Sequence, residues 1–146
     1  MLEINLDASQ LKHGLSQLLK NATNTRPMMR AIATEMVSFT EDNFENESWG
    51  GEKWKQSERA ANGGKTLQLT GQLAASISTQ TGNNFAQIGS NKKYAAIHHL
   101  GGQAGRGRKV TIPARPYLPI NGSGQLQNGA EKKLIDIAIE SLKAGL

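Results

Sequence analysis

The sequence predicts an α+β domain, in which a small antiparallel sheet packs with two N-terminal helices and a C-terminal helix. Apolar residues recur at helical spacing near both ends of the chain, and short strand-like runs separated by turn residues lie between them. The length of 146 residues is close to that of a typical single domain. We therefore expect residues 1–146 to form one domain.

The N-terminal third is expected to contain a short strand followed by two helices. Leu2, Ile4 and Leu6 alternate with polar residues, as in a half-buried strand. The apolar stripe of the first helix comprises Leu11, Leu15, Leu18 and Ala22. Residues 21–24 interrupt this helix, and Pro27 lies where the first turn of a second helix accepts proline. The buried stripe of the second helix comprises Ile32, Met36 and Phe39.

Acidic residues crowd the C-terminal end of the second helix. They are Glu41, Asp42, Glu45 and Glu47. Carboxylates at this end of a helix oppose its macrodipole. We therefore expect them to face a cationic neighbour.

The next segment, residues 48–66, is predicted to be a long flexible surface loop. It holds both tryptophans, Trp49 and Trp54. A loop of this length is usually functional or disordered, and tryptophan is enriched at interface hot spots. The two side chains are expected either to anchor the loop in the core or to contact a neighbouring subunit.

The remainder of the chain alternates between short helices and strands. From residue 70 the predicted elements are a short helix through 75, strands at 76–81 and 85–89 joined by a turn at 82–84, a helix at 92–100, a flexible glycine loop at 101–109, strands at 109–112 and 117–120, a flexible stretch at 121–129, and a final helix from Leu134 to Leu142. Pro113 and Pro116 bracket Arg115 and are expected to project its side chain rigidly, to an acidic partner in the same chain or in another subunit.

Charge is distributed unevenly along the chain, whose net charge is +5. Residues 59–130 contain eight Lys and Arg but no acidic residue, whereas residues 1–58 contain nine acidic residues against six Lys and Arg. Such asymmetry indicates a polyanionic partner or a subunit with one acidic and one basic face, unless surface cations cluster by chance. The basic residues of most interest are Lys92, Lys93, Arg106, Arg108 and Lys109.

Composition excludes several classes of protein. The chain has no cysteine, which rules out disulfides, thiolate metal sites and cysteine nucleophiles. The N-terminus lacks the basic start and apolar run of a signal peptide, and no run of residues is apolar enough to span a bilayer. We expect the protein to be made in the cytoplasm, to stay soluble and to have no membrane contact.

The sequence contains no motif for an active site. His98 and His99 are adjacent, so on a helix their side chains point about 100° apart and do not bind one metal ion as an i, i+4 pair does. There is no G-x-S-x-G elbow, and the glycine loop lacks the ending of a phosphate-binding P-loop. We expect no enzymatic activity, no cofactor and no metal.

Short motifs between residues 67 and 118 occur in a specific order. They are Leu69-Thr70-Gly71-Gln72-Leu73, Ile88-Gly89-Ser90, Tyr94-Ala95-Ala96-Ile97-His98, Gly101-Gly102 and Ile112-Pro113-Ala114-Arg115-Pro116-Tyr117-Leu118. In this order they resemble the phage virion morphogenesis family, the tail-completion proteins of Mu-like and related contractile-tailed phages. The chain departs from the family where His-Gln-Phe-Gly is replaced by His98-His99-Leu100-Gly101, and Pro-Phe-Leu-Gly by Pro116-Tyr117-Leu118-Pro119.

The resemblance implies a structural subunit that completes the tail or joins it to the head. Family members form rings, often hexameric, and contact other tail or head-connector proteins. The motif core comprises Thr70, Gly71, Tyr94, His98, Gly101, Pro113, Pro116 and Tyr117. The expected interface comprises the acidic helix end, both tryptophans, the five basic residues above and Arg115. Such a ring would assemble in the host bacterial cytoplasm and remain in the virion.

Because a ring has a lumen, basic residues not used between subunits are expected to make non-specific contact with passing DNA. The alternative function is a basic nucleic-acid-binding module. It predicts tight, salt-sensitive binding of bare DNA by the isolated monomer. The scarcity of aromatic residues in the basic segment argues against a stacking platform.

Overall fold

The structure is a computed structural model that describes residues 8–57, 61–67 and 71–146, with side chains described from residue 12 onward in the first helix. The predicted strand at residues 2–6 and the motif residue Thr70 lie outside the described residues. The described elements in chain order are α1 (Ala8–Thr23), α2 (Arg26–Asn46), β1 (Ser48–Trp49), β2 (Glu52–Lys53), α3 (Gln72–Ala75), β3 (Ile77–Thr81), β4 (Ala86–Ser90), α4 (Ala95–Leu100), β5 (Gly102–Ala104), a 3-10 turn (Arg106–Arg108), β6 (Val110–Ile112) and α5 (Ala130–Lys143).

Helix α2 is the centre of the fold. The antiparallel pair β3–β4 packs against it, as does α5, and α1 packs against α5. In the β3–β4 pair, Ile77 lies opposite Ser90 and Thr81 lies opposite Ala86. This arrangement confirms the predicted α+β class, with a small antiparallel sheet and helices from both ends of the chain. None of the described helices is long and apolar enough to cross a membrane.

The core is a small aromatic cluster at the C-terminal end of α2. Phe44 stacks on Tyr117, with ring centroids 5.1 Å apart, and meets Trp54 edge to face at 6.0 Å. Leu73 and Ala95 complete the cluster. Aromatic pairs in these geometries add about 0.5–1.5 kcal/mol beyond the burial of their apolar surface. A chain with few aromatic residues therefore concentrates three of them at one point.

Two predicted loops contain β-hairpins instead. Within residues 48–66, β1 pairs with β2. In the predicted loop 101–109, residues 102–104 form β5, which pairs with β6 at residues 110–112. The glycines explain the second difference, since Gly101 and Gly105 have φ values of 75° and 80°. These backbone conformations suit glycine, and they reverse the chain at both ends of a strand rather than leaving it irregular.

The predicted strand at 117–120 is wrong. Apart from one bridge between Ile120 and Leu126, the segment makes no strand pairing within the described residues. Pro116 and Pro119 have no N–H to give to a ladder. The adjoining stretch 121–129 is also not a simple flexible linker, because Gln127 within it is buried.

The predicted stripe of α1 is only partly covered. Leu15 is 58% exposed, Ala22 is exposed, and Leu18 is half-buried. Helix α1 packs mainly on α5, so much of its circumference faces solvent. In α2 the fully buried residues include Met36, as predicted, whereas Ile32 and Phe39 are half-buried.

Candidate functional site

Residues 115–120, which begin with the last four residues of the Ile112–Leu118 motif, form an irregular segment across the aromatic core. Tyr117 is 1% exposed and Pro119 is also fully buried. Buried backbone N–H and C=O groups need hydrogen-bond partners, and in the described part of the chain no strand pairs with this segment beyond the Ile120–Leu126 bridge. Its partners are side chains and backbone groups from four other parts of the chain.

Both tryptophans bind this segment. The Trp54 indole N–H donates to the carbonyl of Pro116 over 2.7 Å, and the Trp49 indole N–H donates to the carbonyl of Leu118 over 2.9 Å. Trp49 lies on β1 and Trp54 directly follows β2, so the short β1–β2 hairpin places the two indoles near carbonyls that are two residues apart in the segment. The structure thus uses both side chains within the subunit; a further contact of Trp49, which is half-buried, with a neighbour stays a prediction.

Asn43 is the polar centre of the site and is 2% exposed. Its Nδ2 donates to the carbonyl of Tyr117 over 3.0 Å and to Oε1 of Gln127 over 2.7 Å, while its Oδ1 accepts the N–H of Gly50 over 3.2 Å. The Gln127 N–H in turn donates to the carbonyl of Pro119 over 2.8 Å. One buried amide therefore links α2 to three separate loops.

His99 binds the other side of the segment. Its Nδ1 accepts the N–H of Tyr117 over 3.1 Å, and its Nε2 lies 2.7 Å from the carbonyl of Ile120. These two contacts require a neutral ring with the proton on Nε2. Burial lowers the pKa of His99, and the hydrogen bond to the Ile120 carbonyl only partly opposes this effect.

The Tyr117 hydroxyl completes the network by donating to the carbonyl of Ala95 over 2.6 Å. Burial raises the pKa of Tyr117 to about 12, so the phenol stays protonated and remains a donor. Gly101 ends α4 next to this point. A Cβ added there would lie 2.7 Å from the backbone nitrogen of Ala114, so the motif glycine allows close contact between α4 and the start of the segment.

Arg115 was predicted to project rigidly to an acidic partner in the same chain or in another subunit, and its side chain is buried in this subunit. It is 8% exposed, and its Nε donates to the carbonyl of Lys55 over 2.8 Å. Burial lowers its pKa. Within the described residues no carboxylate forms an ion pair with it. Whether an acidic group of another subunit reaches Arg115 stays a prediction.

His98 lies beside Arg115, whose N–H donates to the His98 carbonyl over 2.9 Å. Burial and the Arg115 charge lower the pKa of His98. Its ring meets that of Tyr94 edge to face at 5.8 Å, and its buried Nδ1 has no hydrogen-bond partner among the residues that the structure describes. No group of His, Asp and Glu that could hold a metal ion occurs among the described residues.

The remaining motif residues act on the backbone. Gly71 precedes α3 with a φ of 71°, which suits glycine. Pro113 is half-buried and follows β6, and Tyr94 precedes α4. These three residues thus lie at the boundaries of α3, β6 and α4.

The acidic helix end divides into two pairs. Glu47 accepts the N–H of Thr66 over 2.6 Å, which lowers the pKa of Glu47, and Glu45 forms an exposed ion pair with Lys65 at 3.1 Å. Glu41 and Asp42 are exposed and form no ion pair within the described residues. Two of the four predicted carboxylates thus have partners within the subunit.

The predicted basic residues occupy two places. Arg106, Arg108 and Lys109 are exposed together at the tip of the β5–β6 hairpin, whereas Lys92 and Lys93 lie between β4 and α4. Across the described part of the chain, the recorded ion pairs include none of them.

Sequence patterns did not single out Asn43 or Gln127 as structural residues, and for His99 they indicated a packing or hydrogen-bonding histidine without naming its partners. One signal was present, because Asn43 follows Met36 by seven positions and so lies on the buried face of α2. A polar residue within an apolar stripe indicates a buried group with partners. Its partners come from residues 50, 117 and 127, and no local pattern connects these.

Fold and site together define a structural domain organised around one motif segment. The family model described as phage virion morphogenesis family matches residues 6–143. The chain therefore belongs to the phage virion morphogenesis family, and its role is that of a structural phage protein.

The curated relatives come from Mu and from Mu-like prophages. The chain is 43% identical over 119 residues to "Mu-like prophage FluMu G protein 2" of Haemophilus influenzae, which covers 81% of this chain and 83% of that protein. It is 35% identical over 136 residues to "Putative capsid assembly protein G" of Escherichia phage Mu, covering 85% and 86%. A second Haemophilus influenzae protein, "Mu-like prophage FluMu G protein 1", is 29% identical over 84% of this chain and 86% of its own length. Comparison with solved structures gives no match.

Proposed function

We propose that this protein is a ring-forming subunit that completes the phage tail or joins it to the head, without a catalytic step. The ring assembles in the host cytoplasm, remains in the virion and contacts tail or connector proteins. The family and the name of the phage Mu relative, a putative capsid assembly protein, support a role in building the particle.

One observation carries the proposal: the chain exposes opposite charges at two separate places. Glu41 and Asp42 lie on α2, and three cations lie at the tip of the β5–β6 hairpin. Subunits that bind through two different faces form a closed ring when the rotation between neighbours permits it. Complementary charges on those faces favour head-to-tail contact and suppress other pairings.

The test is charge reversal to Glu at Lys92, Lys93, Arg106, Arg108 and Lys109. We expect native mass measurement, with and without tail tubes, to show loss of the ring, and we expect infectivity to fall. The matched control reverses five exposed cations elsewhere, at Lys12, Lys20, Arg26, Lys133 and Lys143, and is expected to assemble normally. Unchanged assembly and infectivity in the first variant would refute the proposal. Tight, salt-sensitive DNA binding by a protein that stays monomeric would favour the nucleic-acid-binding alternative.

A further inference from the structure

A groove runs between α2 and β3. It consists of two adjoining recesses of 390 and 550 Å³ that share Val37 and Glu41 in their walls. The side chains from β3 are Ile77 in one recess and Thr79 and Thr81 in the other. Since alternate residues of a strand share one face, the groove follows the whole length of β3.

Strand β3 has one free edge within the described residues, because its only pairing there is with β4. A two-stranded sheet is marginally stable by itself, and a third strand adds both hydrogen bonds and side-chain packing. An exposed edge accepts an extended segment of another chain through backbone hydrogen bonds. The groove therefore offers both an unpaired edge and partly apolar walls.

The β5–β6 hairpin, residues 102–112, has the complementary features. Its two strands pack mainly on each other and on the 3-10 turn at the tip, rather than on the other elements. Val110 is 52% exposed on β6. Arg106, Arg108 and Lys109 surround it at the tip and are exposed.

Charge gives the orientation. Glu45 lines only the recess at one end of the groove, Arg30 lines only the recess at the other end, and Glu41 lies between them where the recesses meet. Because Glu45 already pairs with Lys65, Glu41 is the carboxylate left for a cation. The basic tip of the hairpin is attracted to Glu41 and repelled by Arg30, so it approaches Glu41 from the side away from Arg30.

We propose that the β5–β6 hairpin of a second copy of this chain binds in the α2–β3 groove. It extends β3 by one strand, places Val110 against Val37 and Ile77, and brings the basic tip to Glu41. This contact is heterologous, because the hairpin of each copy enters the groove of the next. The inference rests on the proposed ring and names the surfaces that form it.

Paired cysteines test this contact, since the chain has no cysteine of its own. Ser78 on β3 and Thr111 on β6 are both exposed. Each neighbours a residue that the proposal places in the groove, Ile77 and Val110, so both side chains lie on the opposite face of the extended sheet. We expect the Ser78→Cys/Thr111→Cys protein to form a ladder of disulfide-linked oligomers on a non-reducing gel. The control Ser78→Cys/Ser123→Cys places the second thiol on an exposed turn away from the hairpin and is expected to stay largely unlinked.

The outcomes separate this contact from the ring itself. A ring in the native mass spectrum of the unmutated protein, with no ladder from the cysteine pair, would overturn the hairpin contact and leave the ring standing. Absence of a ring, with and without tail tubes, would overturn both. An intrachain disulfide in an Ile4→Cys/Thr79→Cys protein would assign the groove to the chain's own N-terminal segment and also overturn the contact.

A charge exchange gives a second test. We expect Glu41→Lys to weaken assembly about tenfold or more, because it places like charges together. Adding Arg106→Glu to that variant is expected to restore much of the loss. Normal assembly of Glu41→Lys, or a loss of assembly that Arg106→Glu does not restore, would contradict the assigned orientation.

Discussion

His99 and Tyr117 contact each other in two ways, since the Tyr117 N–H donates to His99 Nδ1 over 3.1 Å and the two rings meet edge to face with centroids 5.0 Å apart. The histidine therefore acts as a fixed acceptor for a backbone group that has no strand partner. A proton on Nδ1 would abolish this acceptor and turn two donors toward each other.

Acid is expected to destabilise the fold through this contact. Burial lowers the pKa of His99 below the ordinary value of 6.5, so the unfolded chain binds the proton more tightly than the folded chain does. The stability from neutral His99 is fully present above about pH 6.5, and it is lost as the pH falls from there to the lower folded-state pKa. Urea unfolding at pH 7.5 and at lower pH values measures this loss.

The control for that experiment is His99→Asn, which keeps an acceptor near the position of Nδ1 but has no titrating ring. It is expected to be less stable at neutral pH and to lose less stability in acid. His98 also has a lowered pKa, so some acid sensitivity remains in the variant. Equal acid losses in the two proteins would contradict the role given to His99.

Tyr117→Phe is expected to lower the free energy of unfolding by about 1–2 kcal/mol, because it removes a buried hydrogen bond to the Ala95 carbonyl while keeping the stack on Phe44. Urea denaturation measures the change. Tyr94→Phe is the control: Tyr94 is 39% exposed, and its loss is expected to be below about 0.5 kcal/mol. Similar losses for the two variants would show that the buried Tyr117 hydroxyl contributes no more to the free energy of unfolding than the partly exposed Tyr94 hydroxyl does.

Asn43→Asp is expected to cost about 3 kcal/mol or more at pH 7, because a buried carboxylate would face the carbonyls of Tyr117 and Gln127 with no proton to donate. Lowering the pH is expected to restore part of the loss, since a protonated carboxyl donates one hydrogen bond. Asn46→Asp, at an exposed position of the same helix, is the matched control. Thermal unfolding of the two variants at two pH values measures the difference. If Asn43→Asp were as stable as Asn46→Asp, Asn43 would not be the centre of the hydrogen-bond network.

Gly101→Ala is expected to destabilise the protein more than Gly124→Ala. Both glycines have positive φ, of 75° and 79°, which costs a residue with a Cβ about 1–2 kcal/mol. Gly101 also has a ψ of 176°, and this combination of φ and ψ is essentially restricted to glycine. The Cβ of the Gly101 variant would in addition lie 2.7 Å from Ala114 N and 3.0 Å from Ile112 O, whereas at Gly124 nothing lies within 4 Å. The difference in urea midpoint measures the combined backbone and steric cost at Gly101, and equal midpoints would mean that α4 and residue 114 separate easily.

Helices and the β3–β4 hairpin were predictable because their signals are local. Pro27 lies at the start of α2, and the turn at 82–84 joins β3 to β4 as the two short runs on either side indicate. Residues 117–120 were predicted as a strand from a similar local pattern, since Tyr117, Leu118 and Ile120 have strand-forming side chains. Its actual partners are too distant along the chain for any periodic pattern to reveal.

The sequence by itself determined the α+β class, most of the helices, the uneven charge and the family motifs, because each depends on residues close together in the chain. Only the tertiary structure decided that Asn43, His99 and the two tryptophan indoles bind one proline-containing segment. It also decided that Arg115 is buried and that the cations at 106–109 stand on a hairpin. The physical reason is that buried backbone groups that do not pair with a strand still need hydrogen-bond partners. Those partners must lie within about 3 Å, and only the packing of elements distant in the chain brings them there.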